Sequence, residues 1–221
     1  MALCAYGWRR KSIADKISKN VIMSIMDETK EDSRRAAVLA EAFTAFVTYG
    51  YKRTTMDDIA RAAGMSRPAL YLLYRNKYEI FEALMLSMMT EMEAELAACF
   101  DADLPPVAKV KSAMRIGFLD GYHKIRNTPH GAELFDLKNA EAADLFRQWL
   151  AVVENGLSSG LKREAEAGRI DLTRTRVSPE RLTTLVIDGF EGAKARMTTF
   201  EDLEAKVCDL VDVVLGPLTV R

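Results

Sequence analysis

From Ser33 onward, apolar residues recur at three- and four-residue spacing, and no segment alternates with the two-residue period of a half-buried strand. That periodicity predicts an all-α fold. Composition agrees: Ala, Leu, Glu, Lys, Arg and 11 Met dominate, against 12 Gly and 6 Pro in 221 residues, a balance that favours helix over strand. Hydrophobic residues make up 49% and charged residues 29%, which suits a globular chain long enough to bury a core. No apolar run approaches the roughly 18 residues of a membrane span, so no membrane partner is expected.

Punctuation divides this pattern into elements. Ala36, Ala37, Leu39, Ala40, Phe43, Phe46 and Val47 form one stripe, which stops at Gly50. Thr55 can cap a helix through Ala63, with Asp57 and Asp58 in the first turn, where the helix dipole favours acids. Gly64 permits a left-handed turn, Ser66 can cap the next helix, and Pro68 sits in its first turn. That helix runs to about Tyr74, and Asn76 caps a long one through roughly Phe100. The spacing over 55–74 is that of a helix-turn-helix.

Five further segments read as helical. Pro105-Pro106 starts a helix carrying Val110, Met114, Phe118, Gly121 and Ile125 that stops near Pro129, and a short segment holds Leu134, Phe135 and Leu137. A long helix from about Ala140 to Gly168 carries Phe146, Trp149, Val153, Leu157 and Leu161. Ser178-Pro179-Glu180 opens one with Leu182, Leu185, Val186, Gly189 and Ala193. The last carries Leu203, Val207, Leu210, Val211 and Val214 and ends at Gly216-Pro217. The expected division is an N-terminal extension over 1–32, a helix-turn-helix domain over 33–80 and a larger helical domain over 81–221.

The extension reads differently. Trp8-Arg9-Arg10-Lys11 is followed by Asp15, Lys16, Lys19 and Asn20 rather than an apolar core, so export is not expected. Ile13, Ile17, Val21 and Ile25 fit a short amphipathic helix; a mobile tail, with Met23 or Met26 as the initiator, is the simpler reading. Three well-separated cysteines, Cys4, Cys99 and Cys208, fit a reducing cytosol and a cytoplasmic protein. Residues 1–80 hold 14 Lys and Arg against 9 Asp and Glu, which leaves 17 and 23 for the rest. A basic front end on an acidic body suits nucleic-acid binding joined to a second function, although a difference of this size is weak alone.

The stretch from Gly50 to Lys77 is more specific. It holds Gly50-Tyr51, Thr54-Thr55, Ile59-Ala60, Ala63-Gly64-Met65-Ser66, Leu70-Tyr71, the aromatic Tyr74 and Lys77. With the aromatic-rich segment before it, this stretch resembles the DNA-binding domain of TetR-type transcriptional regulators over about residues 33–85. The resemblance implies a regulator, usually a repressor, that binds a double-stranded operator as a homodimer. Arg67, Pro68 and Ala69, behind the Ser66 cap, would open the recognition helix and reach base edges, with Arg67 suited to guanine. Tyr71, Lys77 and the Thr55 hydroxyl would meet phosphates. Leu73 departs from the pattern, standing where a polar residue would make a better groove contact.

The same resemblance implies a variable body that binds a small-molecule effector and forms the dimer. Met85, Met88, Met89, Met92, Met114, Phe118, Tyr122, Phe135, Phe146 and Trp149 are an adaptable apolar supply, equally suited to an ordinary core. Met88, Met114, Phe118, Tyr122, His123 and Trp149 are the candidate ligand contacts. Gly189 and Gly192 each cost about 1 kcal/mol within a helix relative to Ala, which a close partner helix would offset. They join Leu185, Val207, Val211 and Val214 as candidate dimer contacts.

Other chemistries have little support. Gly156-Leu157-Ser158-Ser159-Gly160 matches the nucleophile elbow of hydrolases. That motif needs a preceding strand, yet Val153, Leu157 and Leu161 carry a helical stripe through it, and His123 and His130 lie upstream. No His-Glu-x-x-His, Cys-x-x-Cys or Gly-rich phosphate loop occurs, so neither metal nor cofactor is expected. A helical hydrolase using Ser158 and a dimeric DNA-binding protein without an inducer are the rival readings.

Overall fold

Short polar side chains set the helix starts in the computed structural model, which describes residues 30–131 and 140–220. Helix α1 spans Lys30–Tyr49, α2 Met56–Ala62, α3 Arg67–Leu73 and α4 Lys77–Asp101. Thr55 caps α2, Ser66 caps α3, and Asn76 Oδ1 accepts from the Glu79 amide at 2.9 Å in the first turn of α4. After α5 (Pro106–Met114) and α6 (Asp120–Arg126) come α7 (Ala140–Glu166), α8 (Pro179–Ala195) and α9 (Phe200–Leu215). Ser178 caps α8 and Thr199 caps α9. Among the described residues no strand occurs beyond one isolated bridge between Ile170 and Thr219, and no helix is long and apolar enough to cross a membrane. The expectations for Cys4, for the Trp8–Lys11 run, for the Ile13–Ile25 stripe and for Leu134, Phe135 and Leu137 lie outside the described residues.

The chain divides into two compact units at Leu84/Met85, four residues beyond the expected boundary. In the first unit, the head, Val38, Ala42 and Phe46 of α1 meet Ile59, Leu70 and Ile80, all fully buried. Phe46, Tyr51 and Phe81 form an aromatic cluster with ring centroids 5.1–6.3 Å apart. Gly64, at φ +65°, makes the turn between α2 and α3, a conformation that side chains with a Cβ resist.

The second unit, the body, buries Leu96, Phe100, Met114, Val153, Leu157, Leu161, Phe190, Leu203 and Leu215 in one core. The anticipated single helix from Pro106 to Ile125 is interrupted by a π-helical turn at Arg115–Leu119. Gly117 explains part of this: a Cβ there would stand 2.9 Å from the Val153 methyls, so α7 comes in close, and Trp149 Nε1 donates to Gly117 O at 2.9 Å. Glycine also accounts for the hydrolase-like sequence. Cβ atoms at Gly156 and Gly160 would stand 2.8 Å from Leu96 and 2.4 Å from the Phe100 ring, so both glycines let α7 approach α4.

One ion cluster sits inside the body. Lys109 Nζ donates to Glu164 Oε1 at 3.0 Å and to Phe100 O at 2.9 Å, while Arg169 forks onto both Glu164 oxygens at 2.6 and 2.9 Å. The Lys109 and Glu164 side chains are 5% and 1% exposed. Burial opposes ionisation of Glu164, but Arg169 and Lys109 outweigh it and hold its carboxyl below the usual carboxylate range.

Candidate nucleic-acid interface

Local bonds shape the surface of α3. Thr55 and Asp58 form a reciprocal capping box: the Asp58 amide donates to Thr55 Oγ1 at 3.2 Å and the Thr55 amide to Asp58 Oδ2 at 3.0 Å. The Thr55 hydroxyl also donates to Asp58 Oδ2 at 2.6 Å, so Thr55 positions α2 rather than offering a free donor to phosphate. These bonds from Thr55 hold the Asp58 carboxyl below its ordinary range. Ser66 Oγ accepts from the Ala69 amide at 3.4 Å and starts α3.

From that start, Arg67, Pro68, Tyr71 and Leu72 are exposed, Ala69 is half-buried, and Leu70 is buried in the head. Arg67 Nη1 donates to Asp57 Oδ2 of α2 at 3.1 Å, and its guanidinium lies 5.5 Å over the Tyr71 ring. Hydrogen bonding to Tyr71 and the charge of Asp57 raise the Arg67 pKa. The guanidinium is therefore held on the outer face of α3, not free to sweep solvent.

Lys77 is placed differently from the expectation. Its ammonium donates to Tyr51 O at 2.5 Å, Thr54 O at 2.7 Å and Lys52 O at 3.3 Å, and lies 4.5 Å over the Tyr51 ring. All three of its N–H donors are engaged within the head, and burial lowers its pKa. Lys77 clamps the turn between α1 and α2 to the start of α4 instead of reaching outward for phosphate.

Two residues of this surface escaped the sequence reading. Arg35 Nη1 donates to Leu73 O at 3.1 Å, Nη2 donates to Glu31 Oε1 at 3.0 Å, and the guanidinium lies 5.4 Å over the Tyr74 ring. This ties the end of α3 to α1. The Glu31–Arg35 spacing is visible in sequence; the reach to residue 73 is not. The second residue is Leu72, which is 86% exposed, whereas Leu73, the anticipated departure, is half-buried.

The candidate body residues lie in different surroundings. Met114 is fully buried in the core, and Trp149 Nε1 donates to Gly117 O. Phe118 stacks on Phe190 at 4.5 Å, Met88 is half-buried, and the Tyr122 hydroxyl accepts from Arg126. His123 is exposed, 4.2 Å from the Phe200 ring and beside Asn127 Nδ2. A cleft of about 440 Å³ lies elsewhere, between Phe100–Leu104 and Arg163, Glu164 and Arg169, and none of the six lines it. No group of three or more His, Cys, Asp or Glu side chains able to hold a metal occurs among the described residues.

The dimer expectation changes as well. A Cβ on Gly189 would meet Leu210 of the same chain at 2.5 Å, so this glycine serves the crossing of α8 and α9 within one subunit. Val207 and Val211 are 2% and 0% exposed and belong to the core, not to a free face. Leu185 and Val213 are exposed at 41% and 74%, Val214 is half-buried, and Gly192 has only the Arg196 guanidinium near its missing Cβ.

The model of the bacterial regulatory proteins of the tetR family matches residues 38–84, the stretch that builds this head. The head is thus a DNA-binding domain of the tetR type. It is 31% identical over 72 residues to YhgD, an HTH-type transcriptional regulator of Bacillus subtilis, covering 33% of this chain and 38% of YhgD. ArpR of Pseudomonas putida, described as a probable HTH-type transcriptional regulator, is 27% identical over 207 residues, 86% of this chain and 94% of ArpR. Among solved structures, SmeT, the repressor of the Stenotrophomonas maltophilia multidrug efflux pump SmeDEF, superposes with a TM-score of 0.60. That match is 18% identical and covers 84% of this chain and 90% of SmeT; at such identity it is a likeness of fold. SmeT has also been solved with triclosan. With its TetR-type head the chain is a transcriptional regulator, and Ser158 lies in the middle of α7 with its hydroxyl on Asn155 O at 3.3 Å.

Proposed function

We propose that this regulator is a ligand-responsive repressor that acts in the cytoplasm as a homodimer on a partly palindromic operator. The observation that carries the reading is the capped α2–turn–α3 unit, with Arg67 held on its exposed face within the family-matched stretch. In a two-fold dimer, α3 of each subunit enters successive major grooves about 34–36 Å apart. Arg67 donates to guanine O6 and N7, exchanging Asp57 for the base edge. Tyr71 meets the neighbouring phosphates.

The dimer face we propose comprises Leu185, Gly192, Val213 and Val214, because these retain exposed surface where Val207 and Val211 do not, while Gly189 faces Leu210 of its own chain. Ligand responsiveness is supported by SmeT, a repressor of the same fold known in complex with triclosan. An effector in the body would favour a conformation in which the two heads no longer match the operator, and coupling of about 1–3 kcal/mol per site suffices.

Selection from random duplexes tests the DNA claim: the full chain should enrich one site with two-fold symmetric halves, bound as a dimer on a sizing column. Enrichment of an asymmetric single site by a monomer would defeat it. Thermal-shift screening of apolar aromatic compounds, with triclosan as the first probe, should find ligands that raise the midpoint and release operator.

A further inference from the structure

We propose that Leu72 reads a thymine 5-methyl group in the major groove, which makes an apolar contact the second specificity element of each half-site beside Arg67. The inference rests on the reading of α3 as the DNA-reading helix. Leu72 has the greatest exposure, 86%, among the exposed large hydrophobic residues described. Packing does not account for it: Leu70, two residues earlier and on the opposite side of the helix, fills the head core at 0% exposure. Helical spacing puts Leu72 one turn beyond Pro68, so the two make an apolar strip along the outer face of α3. Tyr71 and Arg67 form the adjacent strip, one turn apart in the same way. On the C-terminal side stands Arg75, whose side chain is 88% exposed.

This rim decides the occupant. An apolar spot flanked by two exposed guanidinium groups suits a polyanion that itself presents a small apolar feature, and it suits a wholly apolar protein pocket poorly, since both charges would lose water. Duplex DNA offers such a feature at the major-groove edge, where thymine alone carries a methyl group. Leucine has no hydrogen-bonding group, so it distinguishes thymine from cytosine by that methyl and is indifferent to the O4 acceptor. Arg67 supplies the complementary preference for guanine. A half-site read by this pair therefore has one position set by hydrogen bonds and one set by a methyl contact.

Replacing thymine with deoxyuridine removes the methyl group and nothing else. A duplex carrying the selected site is prepared with each thymine replaced in turn, and its dissociation constant is measured by fluorescence anisotropy for the full chain and for Leu72→Ala. At one position per half-site, uracil should weaken the parent about three- to fivefold, as expected for one buried methyl. Leu72→Ala should bind the thymine and uracil duplexes equally while keeping the parent's thermal midpoint, because the residue is 86% exposed. Identical uracil profiles for parent and variant would overturn the proposal and move any methyl contact to Pro68 or Ala69. If selection enriches no duplex at all, it is the reading of α3 that fails.

Discussion

In the head, the bonds that start the helices of the reading surface join near neighbours: Thr55 with Asp58, Ser66 with Ala69, Arg75 with Glu79. In the body, the deciding bonds reach across the chain: Gly117 to Trp149, Lys109 to Glu164, Asp101 to Arg163. Short-range bonds leave a fixed pattern of residue types in the sequence. Long-range bonds leave only a Lys, a Glu or a Trp whose partner is unknown until the fold exists. The contrast explains why the head declares its function in about fifty residues while the body yields a core and an uncommitted set of apolar side chains.

The largest effect should come from the body. Lys109→Ala leaves Glu164 buried with Arg169 as its remaining side-chain partner and should lower the unfolding free energy by about 3 kcal/mol in urea titrations. Lys109→Met combined with Glu164→Leu should recover most of it. The pair also sets a pH dependence. Because the Glu164 carboxyl is held below its ordinary range, its stabilisation is complete above that range and is lost as pH falls through the lowered value. The double variant should therefore lose less stability in acid than the parent.

Lys77 sharpens the contrast from the other side, as a long-range bond within the head. Lys77→Ala removes a charged donor from three carbonyls and should destabilise the head by about 2 kcal/mol. Its salt dependence of operator binding should stay parallel to the parent's. A slope shallower by about one unit would instead return Lys77 to a phosphate.

Gly160→Ala probes the α4–α7 approach. Overpacking against Phe100 costs about 1–3 kcal/mol and the gain in helix propensity offsets about 1, so thermal melts should show a modest loss. Ser158→Ala, at the centre of the same motif, should leave stability unchanged. The smallest effect is local. Thr55→Ala deletes the capping box and should cost about 1 kcal/mol, read as a lower midpoint in urea with the operator selection profile intact.

Sequence legibility follows the same division. The caps at Thr55, Ser66 and Asn76 are legible because a cap and its partner amide lie three residues apart. The helix-turn-helix was visible because Gly64 and the small alanines hold fixed spacings. The place of Lys77 is not legible, because a lysine in a sequence gives no sign of three carbonyls 23–26 residues away. The spacing shows Gly189 on a helix but not that Leu210 of the same chain faces it. Val207 and Val211 carry the stripe of an amphipathic helix, and a stripe marks burial without telling a core from an interface. The π-helical turn at Arg115–Leu119 escaped because its support, Trp149, lies 32 residues from Gly117.

The central claim is that the exposed face of α3 reads DNA sequence through Arg67. The most direct measurement is parallel operator selection with the parent chain and Arg67→Ala, followed by affinities on the enriched site. The account predicts an Arg67→Ala profile that loses the guanine preference at one base pair in each half-site and keeps the others, with affinity about ten- to a hundredfold weaker. An unchanged profile bound with unchanged affinity would contradict it and place sequence reading outside the first turn of α3.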